Sequence, residues 1–271
     1  MDLDFGKMIS EASGHVQDAD ALHFPFHGVW NLPTWIPGFT KYAFIELLVV
    51  ALMLLIFVPL ARKTVTGSAP KGRFRNFFEA MLLFIRDEVA RPSIGHGADK
   101  YLPLLWTMFF FILLCNLLGL VPWLGSPTAA LSVTAAMACF SFLAALYAGI
   151  SHFGIVGFFK NLVPSMDGVP MAICCALVPL MFVIELASLL IKYVILAIRL
   201  LANMFAGHLL LAVILGFIAI KAGTAMWYVV TPVSVMGQLA IMMLELFVAF
   251  LQAYVFTFLT ALFIGQVSHK H

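Results

Sequence analysis

The sequence predicts an all-α integral membrane protein with five transmembrane helices and one in-plane helix at the membrane interface. Of the 271 residues, 63% are hydrophobic and only 10% are charged, whereas a soluble globular domain carries roughly 25% charged residues. The apolar residues form long runs, and a helix needs about 20 of them to cross a bilayer. Short strands of alternating polarity, which a membrane barrel requires, are not seen. The small, dispersed net charge of +2 excludes a nucleic-acid-binding protein.

The chain is expected to divide into an extracytoplasmic N-terminal segment, residues 1–41, and a membrane domain, residues 42–271. The apolar runs predict spans at about 42–61, 102–122, 129–150, 170–221 and 229–266. Residues 151–169 include polar and Pro/Gly positions, which predicts a loop between the third and fourth spans.

Segment 73–91 has apolar residues at helical spacing, but it carries Arg75, Arg86, Asp87 and Glu88. Its uncharged stretch is too short to cross a bilayer, which favours a helix lying in the interface. A further span over these residues is the alternative, and the charges weigh against it.

The last two apolar runs are much longer than one bilayer crossing requires. As single helices they would measure about 75 and 55 Å, against a hydrocarbon core of about 30 Å. Each run could instead hold a hairpin of two spans, but neither has a Pro/Gly turn cluster at its middle. The sequence therefore favours two long, strongly tilted helices.

The distribution of Lys and Arg predicts the orientation of the chain in the membrane, because cytoplasmic loops carry an excess of both. Segment 62–100 is rich in these residues, whereas the N-terminal segment is acidic. We expect the N-terminus to lie outside and the C-terminus to lie in the cytoplasm.

Polar residues inside the fourth span are the main functional signal. Glu185, Lys192 and Arg199 lie seven residues apart, so they share one helix face, and Asn203 follows Arg199 by one turn. A central Arg costs at least ~2.5–3.5 kcal/mol on insertion scales. A salt-bridge ladder could explain Glu185 and Lys192. It does not explain Arg199, because no carboxylate of its own helix lies within one turn, so its partner must come from elsewhere.

The last span has a second polar face, formed by Gln238, Glu245, Gln252 and Gln266 at multiples of seven residues. If the last two helices pair antiparallel near their middles, Arg199 lies level with Gln252. His208 is then level with Glu245, towards the outside, and Glu185 lies towards the cytoplasm. This arrangement predicts a proton path that a fixed positive charge interrupts.

Residues 198–208 (IRLLANMFAGH) closely resemble the signature of subunit a of F-type rotary ATP synthases, of the bacterial type. Residues 251–256 (LQAYVF), residues 116–122 (NLLGLVP) and the region of Glu185 also match that family. The resemblance covers residues 42 to 266. It implies the two long, tilted, antiparallel helices already favoured above.

The resemblance also implies a function: a non-catalytic stator subunit whose two half-channels pass protons to and from a carboxylate of the c-subunit ring. Arg199 matches the essential arginine, His208 and Glu245 match the outer half-channel, and Gln252 matches the glutamine facing the arginine. Asn203 and Glu185 complete the expected proton-translocation residues.

The expected partners are the c-subunit ring, the b-subunit peripheral stalk and membrane lipid, with no nucleic acid, cofactor or metal ion. The expected location is a bacterial inner membrane, crossed several times. Tyr193 stands where the family commonly has Pro.

Two alternative functions would use a different chemistry within the membrane. A secondary transporter would use Arg199 to bind an anionic substrate. An intramembrane enzyme would need a paired nucleophile and base, or a zinc-binding His pair, and the spans contain neither.

Overall fold

The computed structural model describes residues 21–24, 28–31, 40–65, 72–95, 97–121, 127–161, 171–220 and 226–268. The described helices are α1 (Lys41–Val65), α2 (Arg73–Phe84), α3 (Arg91–Ile94), α4 (Leu102–Gly119), α5 (Leu131–Asn161), α6 (Met171–Ile220) and α7 (Trp227–Ser268). A π-helical turn, Ile85–Ala90, joins α2 to α3. Two 3-10 turns, Ala98–Lys100 and Pro127–Ala129, precede α4 and α5.

Within the described residues, five helices are long and apolar enough to cross a membrane. Their apolar segments are Lys41–Arg62, Leu102–Gly119, Leu131–Ser151, Leu177–Leu211 and Trp227–Gln266. The predicted fold class and the predicted number of spans are thereby confirmed. Helix α2 is not among the five, so the structure gives no support to a further span over residues 73–91.

The two long apolar runs each form one continuous helix, of 50 residues in α6 and 42 residues in α7. The hairpin alternative is therefore wrong for both runs. Lengths of about 75 and 63 Å exceed the bilayer core of about 30 Å, which favours strong tilt.

Helices α6 and α7 run antiparallel. Only residues 221–226 connect them, and Gly207 of α6 lies against the carboxyl group of Glu245 in α7. Had the two helices continued in one direction, these residues would be about 57 Å apart along the axis. The chain must therefore turn back between the two helices.

Two local differences from the sequence predictions have physical reasons. Helix α5 reaches Asn161, where a loop was expected from residue 151, but it consists of two helical segments that meet at a kink at Gly154, whose φ of 71° glycine tolerates. Residues 162–169 lie outside the described part. The N-terminal segment contains a hairpin in which β1 (Ala21–Phe24) pairs antiparallel with β2 (Gly28–Asn31). Four residues a strand are too few for an alternating pattern to stand out.

The chain forms two compact units, each built from three stretches of sequence. The first unit comprises Met1–Arg62, Phe110–Thr134 and Arg199–Ala253, and the second comprises Lys63–Phe109, Ala135–Ile198 and Tyr254–His271.

In the first unit, the rings of Phe57 and Phe110 pack at 4.5 Å between centroids, which joins α1 to α4. In the second unit, the Trp106 indole donates a hydrogen bond to the Leu82 carbonyl oxygen at 3.0 Å, which ties α4 to α2. Gly265 of α7 lies against the Ser93 carbonyl oxygen at the end of α3.

Candidate functional site

Among the described residues of the first unit, Glu245 is a buried carboxylate. The residue is 9% exposed, and its Oε1 occupies the space that a β-carbon on Gly207 would need. Because glycine has no side chain, α6 and α7 can approach closely at this point. The contact fixes the register of the two helices around the predicted outer access path.

His208 follows Gly207 directly in α6. The backbone therefore places it within one residue of the Glu245 contact. Its side chain lies outside the described part of the structure, so its pairing with Glu245 stays a prediction.

Arg199 lies on the exposed side of α6, whereas its neighbour Leu200 is buried. Within the described part of the chain, Arg199 forms no hydrogen bond or ion pair. A guanidinium group stays charged in any protein environment, and such a charge in a membrane span requires a partner or water. The small residues Ala202 and Ala206 are exposed as well, which leaves room for a neighbouring helix.

Gln252 lies at nearly the same level as Arg199. Arg199 precedes Gly207 by eight residues, and the residue eight positions after Glu245 is Ala253. Because α6 and α7 are antiparallel, Arg199 therefore lies at the level of residues 252–253, about 12 Å along the helix axis from the contact between Gly207 and Glu245. Gln252 is only 1% exposed.

The Nε2 atom of Gln252 has no hydrogen-bond acceptor in the described chain. The two side chains are therefore level but not hydrogen-bonded to each other in this structure. Their direct interaction remains a prediction.

A buried polar cluster that the sequence analysis did not assign lies between the levels of Glu245 and Gln252. Asn116 is fully buried, its Nδ2 donates to the Ala249 carbonyl oxygen at 3.4 Å, and its Oδ1 accepts from the Thr128 hydroxyl at 2.8 Å. By the same register, partly exposed Asn203 is level with Ala249. The sequence feature that could have indicated this cluster is an Asn inside an apolar span, because a polar side chain surrounded by lipid needs hydrogen-bond partners.

The first unit also exposes a broad apolar surface on α6 and α7. Its large members are Phe205, Leu210, Met243, Leu244, Phe247 and Leu251. A soluble protein rarely leaves a surface of this kind uncovered. It is therefore suited to lipid or to another membrane helix.

In the second unit, Glu185 and Lys192 do not form the salt bridge considered from the sequence. Their seven-residue separation places them about 10 Å apart along the helix axis. The Lys192 ammonium instead lies 5.2 Å from the centroid of the Phe263 ring, a cation–π geometry. Both residues are partly exposed.

Among the described residues, no group of three or more His, Cys, Asp or Glu side chains could hold a metal ion.

Comparison with known proteins identifies the family. The model of the ATP synthase A chain family matches residues 43–265. The subunit a of ATP synthase from Chloroherpeton thalassium is 39% identical over 273 residues, covering 96% of this chain and 77% of that protein. The subunit a from Chlorobium phaeobacteroides is 40% identical over 262 residues, covering 94% and 73%.

The subunit a from Myxococcus xanthus is 39% identical over 236 residues, covering 86% of this chain and 74% of that protein. These comparisons give the transporter alternative no support. The family match spans all five apolar helices, and the relatives cover most of the sequence. The chain therefore belongs to the ATP synthase A chain family, whose bacterial members are subunit a of ATP synthase.

Proposed function

We propose that this chain is the proton-channel subunit of an ATP synthase membrane sector and couples proton flow to rotation through Arg199. The observation that carries the proposal is the placement of Arg199. It is a permanent cation on an exposed, apolar side of the first unit, and the described chain offers it no counter-charge. A charge of this kind fits a carboxylate that comes from another subunit.

The partner that supplies the carboxylate is a ring of c subunits. The exposed apolar surface beside Arg199 suits a membrane partner that slides past it. A protonated ring carboxylate is neutral and can travel through lipid, whereas an ionised one is held near the Arg199 guanidinium. The ring is therefore held at Arg199 only when the ring carboxylate that faces Arg199 is deprotonated.

The outer half-channel runs past His208 and Glu245. The close contact between Gly207 and the Glu245 carboxyl supports this path, because Gly207 directly precedes His208 in the sequence. Both side-chain types exchange protons, and His does so near neutral pH. Protons arriving from outside pass these groups and neutralise the ring carboxylate.

The region around Arg199 separates the two half-channels. Gln252 and Asn203 lie near the level of Arg199 and supply uncharged donors and acceptors around the guanidinium. Glu185 stands on the cytoplasmic side in the predicted topology and receives the released proton. One proton that crosses a membrane potential of 100 mV supplies about 2.3 kcal/mol of free energy.

The chain is a component of the ATP synthase complex, and we assign it no catalytic site of its own. Its further partner is the b-subunit peripheral stalk, and it takes no cofactor. The location is the bacterial inner membrane, with the acidic N-terminus outside and the C-terminus in the cytoplasm.

The decisive experiment is proton-driven ATP synthesis by purified complexes that carry Arg199→Ala, reconstituted under an imposed proton gradient. The complex should assemble but fail to synthesise ATP. Arg199→Lys should fail as well, because a poorly solvated ammonium group can lose its proton. The exposed Arg73 of α2 lies outside the spans, and Arg73→Ala serves as the matched control. Synthesis near the wild-type rate by Arg199→Ala complexes would overturn the proposal.

A further inference from the structure

Two side-chain hydrogen bonds in the first unit join three separate segments of the chain. Asn116, near the end of α4, donates from Nδ2 to the Ala249 carbonyl oxygen of α7 at 3.4 Å. Its Oδ1 accepts from the Thr128 hydroxyl at 2.8 Å, and Thr128 lies in the buried 3-10 turn that precedes α5. Asn116 and Ala249 are fully buried and Thr128 is 1% exposed, so water does not compete for either bond. We call these two hydrogen bonds the Asn116 bridge.

The Thr128 hydroxyl decides which end of the Asn116 amide faces Ala249. An amide group has an oxygen that only accepts and a nitrogen that only donates, and its torsion allows two opposite orientations. A half-turn of the group would set Oδ1 against the Ala249 carbonyl oxygen, with two acceptors facing each other. In the observed orientation Oδ1 receives the Thr128 proton, and Nδ2 donates to α7. Thr128 therefore stabilises the orientation that can hold α7.

The carbonyl group that receives this bond lies on the part of α7 that carries Glu245. Ala249 follows Glu245 by four residues, which is about 6 Å along the helix axis and about 40° around it. The Glu245 carboxyl is in close contact with Gly207 of α6. Because this contact is close, a small rotation or sliding of α7 would displace the carboxyl. A bond to α7 one turn away restrains both movements.

We propose that Thr128 is a positioning residue for the outer half-channel: through Asn116 it holds α7 in the rotation that keeps Glu245 against Gly207. The inference rests on the proposed function, in which protons from outside pass Glu245. Thr128 exchanges no proton in this role. A hydrogen bond between helices suits the task, because the surrounding lipid offers no alternative donor or acceptor.

The test is Thr128→Val in the intact complex, with proton-driven ATP synthesis measured on reconstituted complexes of verified assembly. Valine has nearly the same shape as threonine but cannot donate a hydrogen bond. Synthesis should fall by about three- to tenfold, the range that corresponds to the loss of one hydrogen bond. Thr128→Ser keeps the hydroxyl and should synthesise ATP near the wild-type rate.

Thr134→Val is the matched control, because Thr134 is also fully buried in the first unit. Its hydroxyl bonds only locally, to the carbonyl oxygens of Ala130 and Leu131, both at 3.2 Å. This variant should synthesise ATP near the wild-type rate. Wild-type synthesis by Thr128→Val complexes would overturn the inference. Equal losses in Thr128→Val and Thr128→Ser would overturn it as well, because the shape of the side chain and not its hydrogen bond would then matter.

A double variant distinguishes positioning of Glu245 from a general loss of stability. Gly207→Ala displaces the Glu245 carboxyl directly, so loss of the Asn116 bridge then has little left to displace. Complexes with both Thr128→Val and Gly207→Ala should therefore lose much less than the product of the two single losses. Losses that multiply would mean that the two sites act independently, and this result would contradict the positioning role.

A second pair of substitutions covers the case in which Thr128→Val complexes do not assemble. Asn116→Leu combined with Thr128→Val replaces both partners by apolar side chains of similar size and leaves neither of these side chains with an unsatisfied polar group. The bond to Ala249 is absent in this variant, so ATP synthesis should still be about three- to tenfold slower. Synthesis at the wild-type rate would show that α7 needs no such bond and would overturn the inference.

The outcome for Thr128 is separable from the outcome for the proposed function. Loss of ATP synthesis in Arg199→Ala complexes, combined with full synthesis by Thr128→Val complexes, would overturn only the positioning role. Retention of synthesis by Arg199→Ala complexes would instead overturn the channel mechanism.

Discussion

At the scale of single residues, the closest approach of α6 to α7 depends on the missing side chain of Gly207. The Glu245 carboxyl occupies the space where a β-carbon would stand. An acidic group inside a membrane span needs this kind of defined surrounding, because displacement into lipid is costly. The proposed outer path thus depends on a glycine that itself carries no chemistry.

Replacement of Gly207 by Ala should displace the Glu245 carboxyl and slow ATP synthesis. We expect a loss of about tenfold, equivalent to roughly 1.4 kcal/mol on the barrier. The measurement is proton-driven ATP synthesis by reconstituted complexes of verified assembly. Gly237→Ala in α7 is the matched control, because a β-carbon there would meet nothing within 4 Å. Equal rates for the two variants would contradict the proposed position of the outer path.

At the scale of helices, the end of α7 is held by a backbone contact in the second unit. Gly265 lies against the Ser93 carbonyl oxygen at the end of α3. The same region ties α2 to the spans through Trp106 and through the rings of Phe84 and Tyr254, 5.8 Å apart. A helix too short and too charged to cross the membrane is thus fastened to two helices that cross it.

Gly265→Ala should weaken this attachment, because the added methyl group meets a backbone carbonyl rather than a flexible side chain. Overpacking of this kind typically costs about 1–3 kcal/mol. The measurement is the thermal unfolding midpoint of the purified complex, which should fall below that of the wild type. Gly237→Ala should leave the midpoint unchanged, and an unchanged midpoint for Gly265→Ala would show that the contact can relax.

At the scale of the whole molecule, the distribution of charge predicts the orientation of the five spans. From the basic segment 62–100 and an odd number of crossings, we expect both that segment and the C-terminus to lie in the cytoplasm. The continuous helices α6 and α7 support the count, because a hairpin in one of them would change it to an even number.

Cysteines introduced by Ser68→Cys and Ser268→Cys should resist an impermeant thiol reagent applied to intact cells. Thr224→Cys, in the connection between α6 and α7, should react and so provides the control. The measurement is the labelled fraction of each variant before and after the membrane is opened. Labelling of Ser268→Cys from outside would mean that the number of crossings is wrong.

Much of the architecture could be read from the amino-acid sequence, because the cost of placing a charge or an unpaired backbone group in lipid is a local property. That cost marks the five spans. It also indicates that the charged side chains of Arg199, Glu185 and Glu245 lie within spans because they have a function or a partner there. Local pattern failed where a single residue changes the path of the chain, as at Gly154, where a kink is followed by a second helical segment within an expected loop.

Contacts between distant segments required the folded chain, because they depend on the rotation and register of helices far apart in sequence. The contact of Glu245 with Gly207, the hydrogen bond from Asn116 to Ala249 and the hydrogen bond between Ser141 and Thr260 each join different helices. A rotation of about 100° shifts a helix face by one residue, and periodicity alone does not say which faces meet. The sequence thus established which groups are chemically exceptional, and helix packing established which of them lie together.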